Sequence, residues 1–256
     1  MRADPRVVIA ATDFDAGLFD MDGVITQTAA VHAAAWKQLF DAYSEERVRR
    51  GLQGYAPFDI DVDYRRYVDG RPRYDGVAAF LASRGIVLPR GSPDDDPAVE
   101  TVCGLGNRKD AYFWERVRRD GVQTYPTTVA LIHDLKSAGV RAGVFSASRN
   151  AEAILSAAGV VSMFDARVDG VDAERLRLPG KPDPAMLIEL ARRLRAAPSR
   201  AAVFEDAIAG VQAGRAGGFR LIVGVNRSSD AGSLLANGAD VEVRDLGEVA
   251  VRAAPP

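Results

Sequence analysis

The second half of the chain alternates brief apolar runs with helix-forming stretches, and few folds accommodate that order. The runs "VRAGVF" (140–145), "AAVF" (201–204) and "RLIVGV" (220–225) are strand-like: short, apolar and closed by polar residues or glycine. In "TTVALIHDLKSAG" the residues Val129, Ile132 and Leu135 recur on one helical face, with Ala130 beside them, until Gly139 ends the pattern. In "PDPAMLIELARRLR" Asp183 is placed to cap a helix whose first residue is Pro184. Leu187, Leu190, Ala191 and Leu194 then form its apolar stripe. "AIAGVQAGRAGG" repeats that logic and ends in a glycine pair. Strand, helix, strand in this order means parallel strands joined by helical crossovers. The expected fold is therefore α/β, a Rossmann-like open parallel sheet.

Between residues 28 and 124 the pattern changes. This stretch is rich in helix-forming and charged residues, holds no convincing strand and contains the loop-like "RGSPDDDPAVE" (90–100). The expected organisation is an α/β core made of residues 1–27 and 125–256, with 28–124 inserted as a mostly helical domain. A chain of 256 residues is long enough for one sizeable core and a smaller second unit. The acidic run Asp94–Asp96 reads as a solvated loop or helix start, His133 as a helix-surface or packing residue, and the closing "RAAPP" (252–256) is expected to fray.

Charge and composition exclude several partners. Lysine and arginine number 33 against 35 acids, so no basic excess exists to draw nucleic acid or an anionic membrane surface. The single cysteine, Cys103, cannot form an internal disulfide or a thiolate metal site, which fits a reducing cytoplasm. There is no run of 18 apolar residues, and the opening "MRADPRVV" lacks a signal-peptide core. A soluble, cytoplasmic and monomeric protein acting on a small molecule is expected.

Two acidic pairs of equal spacing flank the first strand, "AGLF" (16–19): Asp13 and Asp15 before it, Asp20 and Asp22 after it. Open parallel sheets bind ligands beyond the carboxyl ends of their strands, so Asp20 and Asp22 stand at the ligand edge and the first pair at the opposite one. Gly23 then lets the chain turn sharply. The other strand ends add to the set. "SASRN" presents Ser146, Ser148 and Asn150 ahead of a helix start, a setting suited to an anion such as phosphate. Glu205 and Asp206 follow the 201–204 strand, and Lys181 sits in the Gly/Pro-framed turn "LPGKPDP".

Clustered carboxylates repel one another unless a cation is present, and oxygen donors without histidine or cysteine favour Mg²⁺. A carboxylate attacking phosphorus meets charge repulsion, which a divalent cation and a fixed lysine relieve. In this reading Asp20 is the nucleophile that forms an aspartyl phosphate, and Asp22 protonates the leaving oxygen and deprotonates the incoming one.

The segments "FDMDGVI" (19–25), "FSAS" (145–148), "GKPDP" (180–184) and "FEDAIAGVQAG" (204–214) resemble the four motifs of the haloacid dehalogenase superfamily. Within it, "FDMDGVITQTAAVHAAAWK" and "SASRN" are most similar to the β-phosphoglucomutase family. The resemblance implies a haloacid dehalogenase core with a mobile cap domain. It also implies Mg²⁺ held by Asp20, the main-chain carbonyl of Asp22, Glu205 and Asp206, with Ser146 and Lys181 binding the transferring phosphoryl group. The substrate loop would be Ser146, Ala147, Ser148, Arg149 and Asn150, Arg149 standing where the family has lysine. Gln27 stands where the family often has aspartate. In the cap, the resemblance points to His32, Trp36 and Lys37 from the opening motif. Gly70 and Arg73 match the spacing of an arginine that grips the phosphate not being transferred, and Lys109 matches a cap lysine. Without the resemblance, His32, Trp36 and Leu39 read simply as a core stripe.

The resemblance implies a mutase that interconverts β-glucose 1-phosphate and glucose 6-phosphate through a 1,6-bisphosphate. A sugar-phosphate phosphatase using the same Asp20 and Asp22 is the alternative. A non-enzymatic receiver-type phosphoacceptor is a remote one, since such a domain needs only about 120 residues and no large insert.

Overall fold

The computed structural model describes residues 6–227 and 232–253. Its packing divides the chain into two compact units, Met1–Gln27 with Val122–Pro256, and Thr28–Gly121. The second junction falls at Val122 rather than after Thr124. Residues 122–124 are tied to the first unit, because the Gln27 amide donates to the Gln123 carbonyl at 2.8 Å and Thr26 bridges Thr124.

The first unit begins with β1 (Val7–Ala10) and β2 (Ala16–Asp20). The second unit supplies α1 (Ala29–Arg49), α2 (Arg73–Ser83) and α3 (Val102–Asp120). The first then resumes with α4 (Pro126–Ser137), β3 (Arg141–Phe145), α5 (Ala151–Ala157), β4 (Ala166–Val168) and α6 (Gly170–Leu176). It closes with α7 (Ala185–Arg193), β5 (Ala201–Glu205), α8 (Ile208–Ala216), β6 (Leu221–Val225), α9 (Ser233–Ala236), β7 (Val241–Val243) and β8 (Val249–Arg252).

Six strands form a parallel sheet in the order β4-β3-β2-β5-β6-β7. The chain runs outward from β2 to β3 and β4, then returns to the other side of β2 with β5. The strand order therefore switches at β2, and the crevice for a ligand opens at its carboxyl end. Asp20 pairs in register with Phe145, and Phe19 with Phe204, so the residues following β2, β3 and β5 emerge at one edge. Leu18 and Val203 face one core layer with Leu187, Leu190 and Leu194 of the α7 region. One residue on, Phe19 and Phe204 point the other way and stack at 4.3 Å between centroids. Each such fully buried apolar side chain contributes about 1.5–3 kcal/mol.

Local readings shift slightly. Helix α7 begins at Ala185, with Pro184 as its cap residue, while the Asp183 carboxylate still accepts from the Ala185 amide at 2.9 Å. In α4 the buried face is Thr128, Leu131, Ile132 and Leu135. Val129 lies half-buried at the margin of this face. A separate parallel ribbon, outside the sheet expected from the sequence, joins β1 and β8, with Ala10 paired to Arg252. The closing residues are thus not wholly free: Arg252 is in a strand, and residues 254–256 of the "RAAPP" stretch lie outside the described residues.

The second unit is built on helices around an aromatic centre. Phe40 lies 3.9 Å from Phe80 and 5.2 Å from Phe58, and Trp36, Leu39 and Tyr43 join them. The acidic run Asp94–Asp96 is loop structure. Asp95 accepts from the Ser92 amide and the Thr101 hydroxyl, and Thr101 in turn caps α3 by accepting from the Gly104 amide at 2.9 Å.

Candidate active site

Four loops of the first unit meet at the carboxyl edge of the sheet. Asp20 ends β2, Glu205 ends β5, and Lys181 lies in the turn before α7. Lys181 Nζ stands 2.5 Å from Oδ1 of Asp20 and 3.1 Å from Oε2 of Glu205. All three side chains are buried. Its ammonium also lies 4.8 Å from the Phe145 ring centroid.

Two buried carboxylates against one ammonium leave a charge surplus, and the acidities reflect it. Burial pushes the Asp20 carboxyl above the ordinary range. Lys181 pulls against that rise, and the neighbouring Asp22 charge adds to it. Burial, reinforced by Asp20, pushes Glu205 up to about 8. Burial opposes the charge on Lys181, yet the carboxylates of Asp20 and Glu205 outweigh it and hold the ammonium well above its usual value. Asp206 completes the set. Asp20, Glu205 and Asp206 each offer an oxygen, all within 4.8 Å of one another. An oxygen-only cluster with surplus negative charge fits a hard divalent cation.

Close backbone approach makes the cluster possible. A Cβ on Gly210 would lie 2.1 Å from the Glu205 carboxyl carbon, so that position in α8 leaves room for the carboxylate. The Glu205 carboxylate also accepts from the Ala207 amide at 3.2 Å.

The loop after β3 is ordered by its own hydroxyls. Ser146 is buried and its Oγ accepts from the Ser148 amide at 3.0 Å, while Ser148 Oγ accepts from the Asn150 amide at 3.1 Å. Ala147 lies between them, and Gly170 packs so close that a Cβ there would meet the Ala147 carbonyl at 2.6 Å. Arg149 is exposed and ion-paired with Glu174. Asp22 is half-buried just past Asp20, in the turn where Thr26 returns to bridge it. Asp13 and Asp15 stand before β2, where Asp15 pairs with Arg200 at 2.9 Å and Asp13 with Arg220 at 3.3 Å.

The second unit gathers most of the remaining residues. Lys109 Nζ is 2.5 Å from Nδ1 of His32 and 5.1 Å from the ring centroids of Trp36 and Phe113. His32 stacks on Phe113 at 4.2 Å. Trp36 is buried in the aromatic core. Lys37 instead bonds to the Phe58 carbonyl at 3.0 Å and Asp41 at 2.8 Å. Gly70 has φ +66° ahead of α2, and Arg73, the first residue of α2, is paired with Asp110 at 2.9 Å.

Two further residues at the sheet edge escaped the sequence reading. Asp169 follows β4, is buried, and accepts from the Val171 amide and the Arg167 guanidinium. β4 is only three residues long, so its end carried no strand signal. Arg227 follows β6, whose strand pattern was plain. The rule that strand ends face the ligand, applied once more, would have singled it out.

Comparison with known proteins adds the lineage. The family model of the haloacid dehalogenase-like hydrolases matches residues 14–218. A β-phosphoglucomutase of Mycobacterium bovis is 46% identical over 235 residues, which cover 91% of this chain and 90% of that protein. A validoxylamine A 7'-phosphate phosphatase of Streptomyces hygroscopicus subsp. limoneus is 29% identical over 238 residues, 92% of this chain and 96% of that protein. A solved β-phosphoglucomutase from Clostridium difficile shares the fold with a TM-score of 0.71 at 23% identity, over 92% of each chain.

Proposed function

Because this chain belongs to the haloacid dehalogenase-like hydrolase family, among the β-phosphoglucomutases, we propose that it interconverts β-D-glucose 1-phosphate and D-glucose 6-phosphate. The observation that carries the reading is the buried Asp20 carboxylate, held by Lys181 beside Glu205 and Asp206, in a chain 46% identical to a β-phosphoglucomutase.

Asp20 attacks phosphorus with one carboxylate oxygen and becomes an aspartyl phosphate as the bond to the departing sugar oxygen breaks. Asp22 gives its proton to that oxygen. In the other half-reaction it takes the proton from the sugar hydroxyl that attacks the phosphoenzyme. The phosphoenzyme thus converts β-glucose 1-phosphate into the 1,6-bisphosphate. That bisphosphate, reversed in the site, returns its C1 phosphoryl group to Asp20 and leaves glucose 6-phosphate. Lys181 and Ser146 hold the transferring group, and the hydroxyls and amides of Ser146–Asn150 orient it. Asp20, the Asp22 carbonyl, Glu205 and Asp206 would hold Mg²⁺, which when bound offsets the charge of the phosphoryl oxygens. In the helical unit, Arg73, after the turn at Gly70, takes the phosphate that is not transferred. His32, Lys109 and Trp36 form the cluster that separates transfer to sugar from transfer to water. The lone, buried thiol of Cys103 fits a cytoplasmic setting, and we take the monomer as the working unit. Among the described residues no helix is long and apolar enough to cross a membrane.

A phosphatase acting through the same Asp20 and Asp22 is the second reading, supported by the 29% identical phosphatase. Incubation with β-glucose 1-phosphate, Mg²⁺ and a trace of the bisphosphate tests both. The mutase reading expects glucose 6-phosphate, and inorganic phosphate as the dominant product would overturn it.

A further inference from the structure

The turn that carries Asp22 is held from outside by three donors on its consecutive carbonyls. Arg227 donates through Nη1 to the Gly23 carbonyl. Thr128 donates through its hydroxyl to the Val24 carbonyl at 2.7 Å, and the Tyr125 amide donates to the Ile25 carbonyl at 2.9 Å. The guanidinium of Arg227 lies over the Tyr125 ring, its Cζ 3.5 Å from the centroid. Within the turn, the Gly23 amide bonds to the Thr26 carbonyl, and the Ile25 and Thr26 amides to the Met21 carbonyl. The turn is therefore a closed loop whose outer carbonyls are fixed by this second surface.

Thr128 and Tyr125 come from the start of α4, which packs against the sheet. Arg227 comes from the far side of the switch point, beyond β6, and is exposed. It reaches Gly23, whose backbone abuts Asp206. A planar guanidinium can lie on an aromatic face and donate in its own plane at the same time; a lysine ammonium cannot do both.

We propose that Arg227, stacked on Tyr125, is a positioning residue that fixes the Gly23 carbonyl and thereby the main chain aiming Asp22 at the reacting oxygen. The inference rests on the acid–base role given to Asp22 above. Arg227 touches no reacting atom in this scheme. As an exposed side chain it adds little to the hydrophobic core, so its removal leaves the fold in place.

The test uses the full chain with Mg²⁺ bound, as Arg227→Ala and Arg227→Lys. Hydrogen exchange followed by mass spectrometry should show the amides of residues 23–26 exchanging about tenfold faster in Arg227→Ala, with the rest of the sheet unchanged. Turnover, kcat, should fall about tenfold while KM for β-glucose 1-phosphate stays within about twofold, because misaimed acid–base chemistry costs the transition state alone. Arg227→Lys should restore neither. Free guanidinium should recover part of the Arg227→Ala rate where equal sodium chloride does not. Unchanged exchange, unchanged kcat, or a kcat that follows the fraction folded would each overturn the proposal. Should the wild type release phosphate in place of isomerising the sugar, the mutase reading falls. The exchange measurement and the kcat for phosphate release then still decide the role of Arg227.

Discussion

A Cβ on Gly23 would stand 1.8 Å from Oδ2 of Asp206. The loop after β2 and the loop after β5 thus touch through a bare backbone, and Gly23 also holds φ +85°, where a side chain is strained. Gly23→Ala displaces Asp206 or the turn carrying Asp22. Phosphoryl transfer is expected to fall by about 100-fold and half-saturation by Mg²⁺ to rise, while far-ultraviolet circular dichroism stays unchanged. Wild-type Mg²⁺ dependence in this variant would contradict the geometry.

The two acidic pairs should separate cleanly. Asp20→Asn is expected to abolish turnover and covalent labelling by a phosphoryl donor, read by intact mass. Replacing both Asp13 and Asp15 by Asn should leave turnover within about twofold. Their partners Arg220 and Arg200 are substantially exposed, and such pairs are worth about 0–1 kcal/mol each.

Divalent cation should stabilise the first unit by mass action. At 100 times the dissociation constant the gain is about 2.7 kcal/mol, visible as a rise in Tm that a chelator reverses. Glu205→Gln replaces one of the three carboxylate donors with a neutral amide and should reduce that rise sharply. An undiminished rise would place the ion elsewhere.

Lys109 is buried beside His32 and between two aromatic rings. Lys109→Ala and His32→Ala are expected to lower isomerisation at least about tenfold while sparing part of the phosphate release, because the phosphoenzyme chemistry resides in the other unit. The ratio of glucose 6-phosphate to inorganic phosphate is the measurement. An equal loss of both products would remove these residues from the partition.

One acid limb of stability can be assigned. A hydrogen bond from Arg193 is the chief cause holding Asp172 at about 2, burial opposes it, and Arg175 assists. The folded state favours the charged form, so the contribution is complete above the unfolded value near 4 and is lost as pH falls through about 2. Asp172→Asn should flatten urea-measured stability against pH across that interval and change nothing in its slope above pH 5.

Much of the site was legible because it sits at strand ends. Asp20, Ser146 and Glu205 each follow a short apolar run, and that pattern reports strand direction as well as strand identity. The β1–β8 ribbon was not legible as a pairing: both runs are apolar and β-branched, but its partners lie some 240 residues apart and nothing local joins them. Asp169 was hidden by the brevity of β4. Trp36 illustrates a different limit. Its helical spacing with Leu39 shows that it faces something apolar, and only packing shows that this is the Phe40 and Phe80 cluster.

The sequence alone determined the parallel α/β class, the helical insert and the difference between the acidic pairs. All three follow from local periodicity and from the fixed direction of strands in a crossover fold. Tertiary structure decided the rest: which carboxylates share Lys181, how far burial raises Glu205, and which side chain holds the turn after Asp22. These depend on distances between residues remote along the chain and on the exclusion of water around them. Neither quantity is set until the sheet closes and the helices cover it.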